Sequence, residues 1–179
     1  MKRMLALLAL TLGCSSAMAN KGIINFEGTV SAGGTCQIDV VTPGGPLLPS
    51  IHMGDHKASD FTQVGQIAKT AKFALRVDPT SCAVSAGDVA AVTYSANYGA
   101  DPSGQLYQLQ SGIGYATGMA LALLDKSNAP LAPDTESAEY TLDATQPTDL
   151  NFLAKLQTTS ATVTEGQIAS SISFLVDIR

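Results

Sequence analysis

The sequence predicts an antiparallel β-sandwich, and three observations lead to this fold class. Short segments with apolar side chains at every second position recur along the chain, as in strands buried on one face. Turn sequences rich in Gly, Pro, Asn and Asp separate these segments at short intervals. No stretch of ten residues carries a convincing helical stripe of apolar side chains. Together these features are typical of one all-β sandwich domain.

The first 19 residues have the features of a secretory signal peptide. Two basic residues open the segment, residues 4–12 are nearly all apolar, and Ala17-Met18-Ala19 is a small-x-small cleavage site. The apolar run is too short to span a membrane. We therefore expect an exported chain that begins at Asn20, with a lipoprotein signal ending at Cys14 as the alternative.

Removal of this segment leaves two of the three cysteines, Cys36 and Cys82. Two cysteines in an exported chain allow only one intramolecular bridge, so we predict a structural disulfide between them. It would close a loop of about 47 residues and stabilise the fold by roughly 4 kcal/mol.

The charge of the exported chain excludes one class of partner. Without Lys2 and Arg3, eight basic residues stand against fifteen acidic ones, a net charge of −7. The acidic residues are scattered, and no basic patch argues for nucleic acid as a partner.

The segments between Cys36 and the end of the chain are predicted in order as strands and turns. Turns are expected at 43–46, 78–79, 101–104 and 125–128, and residues 55–66 are polar enough for a loop or one helical turn. The glycine-rich stretch 112–118 lacks the lysine of a phosphate-binding loop and is expected to be a bend. The predicted strands are 36–41, 51–54, 73–77, 89–96, 119–123, 139–142, 150–158 and 166–179.

The last predicted strand, 166–179, is long and apolar on one face. It runs to the final residue, so no later segment can pair with its second edge. Because an exposed apolar edge promotes aggregation, either an earlier strand or another polypeptide must lie alongside it.

The start of the exported chain offers a segment of the same character. Ile24, Phe26 and Val30 point one way in an extended chain, with Gly28 in the same row. Combined with Cys36, Cys82 and a glycine fourteenth from the end (Gly166), this pattern resembles the pilin subunits of the chaperone–usher pathway, of the type 1 and P fimbria kind. The resemblance covers the whole exported chain and departs at Ile178, where the family usually has a tyrosine.

The resemblance implies an incomplete immunoglobulin-like antiparallel sandwich that a donor strand from a neighbouring subunit completes. Residues 20–34 would be the donor extension and residues 35–179 the pilin domain, with neighbouring pilins, a periplasmic chaperone and an outer-membrane usher as partners. The product would be an extracellular fimbrium used for adhesion, reached through the periplasm. The donor residues would be Ile24, Phe26, Gly28 and Val30, and the acceptor strand would carry Gly166, Ile168, Ile172, Phe174, Val176 and Ile178. An alternative is that residues 24–30 form an ordinary first strand of their own domain.

Catalytic or metal-binding chemistry has little support in the sequence. His52, Asp55 and His56 could supply metal ligands, but their positions at a strand end favour ordinary surface residues. No nucleophile motif occurs, so we expect neither an enzyme nor a cofactor. Two other functions remain open: a minor, adaptor or tip subunit that binds a host glycan or protein, and a monomeric periplasmic binding module.

Overall fold

The computed structural model of the chain describes residues 36–179. The predicted signal peptide and the predicted donor residues Ile24, Phe26, Gly28 and Val30 lie outside the described residues. The described part contains one short helix, α1 (Pro79–Cys82), and a 3-10 turn at Ala58–Asp60. Its strands are β1 (Ile38–Val41), β2 (Ile67–Val77), β3 (Val89–Ala96), β4 (Tyr107–Gln108), β5 (Met119–Leu124), β6 (Pro130–Leu131), β7 (Tyr140–Thr141), β8 (Thr148–Thr158) and β9 (Ile172–Ile178).

These strands form two sheets in which every pairing is antiparallel. The larger sheet has the order β1-β2-β8-β5-β4, with β6 also paired to β5. The smaller sheet has the order β7-β3-β9. The predicted all-β antiparallel fold is therefore confirmed.

An aromatic cluster joins the two sheets at the centre of the core. Phe73 of β2 and Phe152 of β8 belong to the larger sheet, and their rings stack 5.7 Å apart. From the smaller sheet, Tyr94 of β3 meets Phe152 edge-on with ring centroids 5.2 Å apart. Tyr140 of β7 lies 5.4 Å from the same phenylalanine. Such tilted and edge-on contacts are the favoured geometry for aromatic rings.

These contacts also show how the sheets overlie each other. Tyr140 of β7 meets β8, while Tyr94 of β3 meets β8 and β2, where its ring lies 6.3 Å from Phe73. Successive strands of the smaller sheet thus lie over successive strands of the larger one. This order places the last strand, β9, on the side of β1.

The disulfide between Cys36 and Cys82 is present, as predicted. Cys82 is the last residue of α1, and Asp78 caps the first turn of this helix. The Asp78 side chain accepts hydrogen bonds from the backbone N–H of Thr80 at 2.8 Å and from the Thr80 hydroxyl at 2.7 Å. Pro79 at the first helical position suits the same turn. The bridge therefore ties the residue just before β1 to the segment just after β2.

Several elements differ from the sequence prediction, among them β2, which begins at Ile67 and not at residue 73. Residues 51–54, predicted as a strand, form no regular strand, and α1 replaces the simple turn expected after Asp78. The last strand begins at Ile172 and not at Gly166. Its upstream residues are instead hydrogen-bonded to the loop 110–118. Among the described residues, no helix is both long and apolar enough to cross a membrane.

Candidate functional site

The terminal strand β9 lies at the edge of the smaller sheet. One side pairs with β3 along the full length of the strand, from Ala96 opposite Ile172 to Ala90 opposite Ile178. Reciprocal backbone hydrogen bonds between Val89 and Arg179 extend this ladder to the last residue. On the other side of β9, no strand pairs with it within residues 36–179.

The inward row of β9 consists of the four predicted acceptor residues Ile172, Phe174, Val176 and Ile178. All four pack against the core, yet each stays only half-buried. On the neighbouring strand the inward residues Ala90, Val92 and Tyr94 are no more than 3% exposed. The difference shows that the core is covered at β3 and incompletely covered at β9.

The edge strand of the larger sheet also has half-buried core side chains, although an antiparallel bridge between Val41 and Leu47 and a hydrogen bond from Leu48 N to Val40 O at 2.7 Å cover part of its outer side. Strand β1 pairs with β2 on one side, from Ile38 opposite Val77 to Val41 opposite Ala74. Its side chains Ile38 and Val40 also pack on the core while only half-buried. We use the term acceptor groove for the half-buried core side chains of these two edge strands, Ile38, Val40, Ile172, Phe174, Val176 and Ile178.

A cavity of about 370 Å³ lies where the terminal segment begins. The two other predicted acceptor residues, Gly166 and Ile168, are part of its wall. The opposite wall comes from the segment 56–61 that contains the 3-10 turn. Although Gly166 and Ile168 precede the regular strand, the structure thus brings them to the same end of the groove.

Gly166 has a specific steric role that sequence alone did not reveal. A Cβ atom built on Gly166 would lie 2.3 Å from the carbonyl carbon of Tyr115 and 2.4 Å from the amide nitrogen of Ala116. The adjacent Gln167 exchanges hydrogen bonds with this segment, donating to Gly114 O at 2.7 Å and accepting from Ala116 N at 3.0 Å. Two backbone segments therefore touch at residue 166, which only glycine permits.

The other end of β9 is held by the side chain of Arg179. Its guanidinium donates to the carboxylates of Glu136, Glu139 and Asp177 at 2.7, 2.8 and 2.9 Å. These bonds raise the pKa of Arg179, first through Glu136. Sequence reasoning missed this cluster because Glu136 and Glu139 lie 43 and 40 residues before Arg179 in the chain.

The histidine cluster does not form a metal site. His56 Nε2 bonds to the carbonyl oxygen of Met53 at 2.8 Å, and its ring meets Phe61 edge-on at 5.8 Å. Across residues 36–179, no group of three or more His, Cys, Asp or Glu side chains could hold a metal ion. His56 therefore has a local packing role beside the cavity.

The family model for fimbrial proteins matches residues 24–179, which is most of the chain. The chain belongs to the fimbrial protein family. Among curated proteins, the type 1 fimbrial subunit of Salmonella typhimurium is 26% identical over 158 residues, covering 87% of this chain and 81% of that protein.

Solved structures agree with this assignment. The type I fimbria protein BPSL1626 of Burkholderia pseudomallei is 27% identical with a TM-score of 0.55, covering 79% of this chain and 88% of that one. A chain of a chaperone–usher pilus, described in connection with rod uncoiling, has the same fold at 19% identity, with a TM-score of 0.61 and coverage of 92% and 99%. The protein is a pilus subunit of the cell surface that assembles with other pilins, and membership of this structural family implies a non-enzymatic role.

Proposed function

We propose that this pilin polymerises by donor-strand exchange, with the N-terminal segment of each incoming subunit filling the acceptor groove of the subunit before it. The observation that carries the proposal is the half-buried inward row of β9 beside an edge with no partner strand in the described part of the chain. An apolar strand edge of this length needs a cover, and a strand added from another chain provides both hydrogen bonds and side chains for the groove.

The segment that we propose as the donor is Asn20 to Ser31. Ile24, Phe26 and Val30 would enter the groove on one face, while the residues between them are mostly polar and suit the solvent face. Burial of each large apolar side chain contributes about 1.5–3 kcal/mol before the cost of ordering the segment.

We further propose that the donor runs antiparallel to β9. Antiparallel pairing is the more stable per residue, and it permits a register in which Phe26 faces Val176 and Gly28 faces Phe174. Each of the two phenylalanines then meets a smaller residue. A parallel donor with the same row would place Phe26 beside Phe174 and leave Gly28 beside Val176, so that one position is overfilled and the next is empty.

Before assembly, the groove would be covered by a periplasmic chaperone, and the exchange would take place at an outer-membrane usher. Three observations support this route: the features of a signal peptide at residues 1–19, an apolar edge that would aggregate if left free, and the fold shared with a chaperone–usher pilus. The finished fimbrium would then reach the cell exterior through the periplasm.

The proposal is tested by joining residues 20–31 to Arg179 through a flexible linker. The missing strand becomes intramolecular and has a high effective concentration, so we expect a soluble, chaperone-independent monomer. The matched control carries the same linker and segment with Ile24, Phe26 and Val30 all changed to Asn. Size-exclusion chromatography and thermal unfolding compare the two proteins, and equal aggregation or equal stability would overturn the donor assignment.

A minor or tip subunit remains the alternative, and its test is different. Binding of a host glycan by the self-complemented monomer would favour it. Antibody labelling along the whole filament, and not only at one end, would favour a shaft subunit.

A further inference from the structure

The loop 110–118 presents an isoleucine to solvent at the start of the terminal strand. The side chain of Ile113 is fully exposed, between Gly112 and Gly114, which have φ angles of 127° and 89°. The loop is fixed by backbone hydrogen bonds to the terminal segment, among them Gln110 N to Ala169 O at 2.8 Å. Ile113 is therefore held in place at one defined end of the acceptor groove.

The proposed donor strand leaves the groove at this same end. In the antiparallel register, Val30 lies opposite Ile172, and the rest of the donor chain continues toward the loop 110–118. Only six residues later comes Cys36, which the disulfide with Cys82 ties to the folded domain of the donor subunit. Because six extended residues span at most about 20 Å, the body of the donor subunit must lie close to Ile113.

The donor subunit exposes a turn of small residues next to Cys36. The disulfide holds Cys82 there, with a Cα–Cα distance of 4.1 Å. The turn that follows, residues 83–87, has the sequence Ala-Val-Ser-Ala-Gly and exposes Ala83, Ser85 and Ala86. The Asp88 carboxylate at the end of the turn already accepts from the backbone N–H of Ser85 at 2.8 Å, so the small side chains of Ala83 and Ala86 are the part of this surface on which a single isoleucine can be buried.

We propose that Ile113 of the acceptor subunit packs on the turn 83–87 of the donor subunit, which is a second copy of this chain. This contact rests on the proposed donor-strand exchange and adds a second attachment to each joint. A strand in a groove joins two subunits but does not by itself set the angle between them. A second contact beside that connection fixes the angle.

Cysteine cross-linking in filaments of the full chain tests the contact. A chain carrying both Ile113→Cys and Ala86→Cys is expected to give a ladder of covalent multimers after mild oxidation, seen on a denaturing gel without reductant. The control pairs Ala86→Cys with Leu175→Cys, since Leu175 is also exposed but lies on the outward face of β9. We expect at least tenfold more cross-linked product from the Ile113 pair.

Equal cross-linking of the two pairs, or none from either, would overturn the contact while leaving donor-strand exchange intact. A second measurement applies even if the double-cysteine chains do not assemble. Filaments of Ile113→Ser should show a shorter persistence length in electron micrographs than those of the parent, and Ile113→Leu should restore it. Unchanged stiffness in Ile113→Ser would also overturn the contact, whereas failure of the donor peptide to bind the groove would overturn the proposed function instead.

Discussion

Gly166 lies where two backbone segments come closer than any larger residue would permit. Gly166→Ala forces a methyl group against Tyr115 and Ala116, whose backbone atoms cannot rotate away. We expect a loss of about 3 kcal/mol, at the upper end of overpacking effects. Thermal unfolding measures it, with Gly104→Ala as the control.

The control separates crowding from backbone conformation. Gly104 has a φ of 72°, and a Cβ there meets nothing within 4 Å. Its replacement should cost about 1 kcal/mol through the left-handed conformation alone. If Gly166→Ala proved no more destabilising than Gly104→Ala, the close approach of the two backbone segments at residue 166 would not contribute to the cost of the substitution.

The pair Gly28 and Phe174 gives a sharp test of the proposed register. In a synthetic peptide of residues 20–31, Gly28→Val should weaken binding to the acceptor groove by about 1–3 kcal/mol, because it adds volume opposite Phe174. An acceptor with Phe174→Ala should recover most of this loss, since the cavity then takes the added methyl groups. Binding is measured for all four combinations of peptide and acceptor, and an identical penalty in both acceptors would place Gly28 opposite another residue.

At the scale of the elements, an ion pair between Arg76 and Asp149 joins β2 to β8. The same aspartate also holds the turn that contains Gly44, just after β1. Arg76 Nε donates to Asp149 Oδ1 at 2.7 Å, and the backbone N–H of Gly44 donates to Asp149 Oδ2 at 2.7 Å. These bonds, first among them those from Arg76, lower the pKa of Asp149 below its ordinary value. The stabilisation is therefore complete above about pH 4 and is lost as the pH falls through the lower folded-state pKa.

Asp149→Asn is expected to remove this contribution. At neutral pH the loss should be about 1–2 kcal/mol, because the pair is only partly buried. Below about pH 4 the stability of the variant should fall less steeply with pH than that of the parent. Urea unfolding at several pH values measures both effects, and Asp177→Asn, in an exposed pair with Arg179, should change neither. Parallel pH curves for parent and Asp149→Asn would refute the assignment.

The disulfide gives a prediction about the start of the domain. The double variant Cys36→Ser and Cys82→Ser should lose about 4 kcal/mol of stability, given the sequence separation of 46 residues. For a domain of this size the melting temperature should drop by roughly 10 °C. Calorimetry of the self-complemented monomer checks this, and a drop of only one or two degrees would show that the reduced chain is constrained by other contacts.

Strands could be predicted where the alternation of apolar and polar side chains is long enough to define their bounds. The alternating residues of β3 predicted its bounds, Val89–Ala96, as the structure has them. Residues 51–54 have a similar local pattern but no partner strand among the described elements, and periodicity cannot report a missing partner. The two-residue strands β4 and β6 are too short for any period, whereas β7 lies within the predicted strand 139–142, and α1 depends on one capping side chain.

At the scale of the whole molecule, the proposed donor and acceptor functions belong to opposite ends of the chain, so they can be tested separately. A tagged subunit lacking residues 20–31 keeps the acceptor groove and loses the donor segment. Mixed with the parent during assembly, it should start filaments but never join one in progress. Immunogold labelling should therefore find the tag at one filament end, while a tagged full-length subunit should label the length. Internal labelling by the truncated subunit would contradict the donor assignment.

The sandwich was predictable as a whole, while its incompleteness required the structure. Alternation and turn spacing fix an all-β class, but they give no information on which strands are neighbours. The partial exposure of Phe174 and Val176 beside the fully buried Val92 became visible only once β9 was placed at a sheet edge. Contacts such as Arg76 with Asp149, which are 73 residues apart, follow from the same topology.

The position of the Cys36–Cys82 bridge has a mechanical consequence for a filament built in this way. Tension on a fimbrium would enter each subunit through its donor segment at residue 36, directly before β1. Without a cross-link, that pull would unzip β1 from β2 one hydrogen bond at a time, starting at Ile38. The bridge transfers the force to Cys82, beyond the end of β2, so the short edge strand is bypassed. The covalent bond then allows a wall of the groove to stay closed around its neighbour's strand while the filament is stretched.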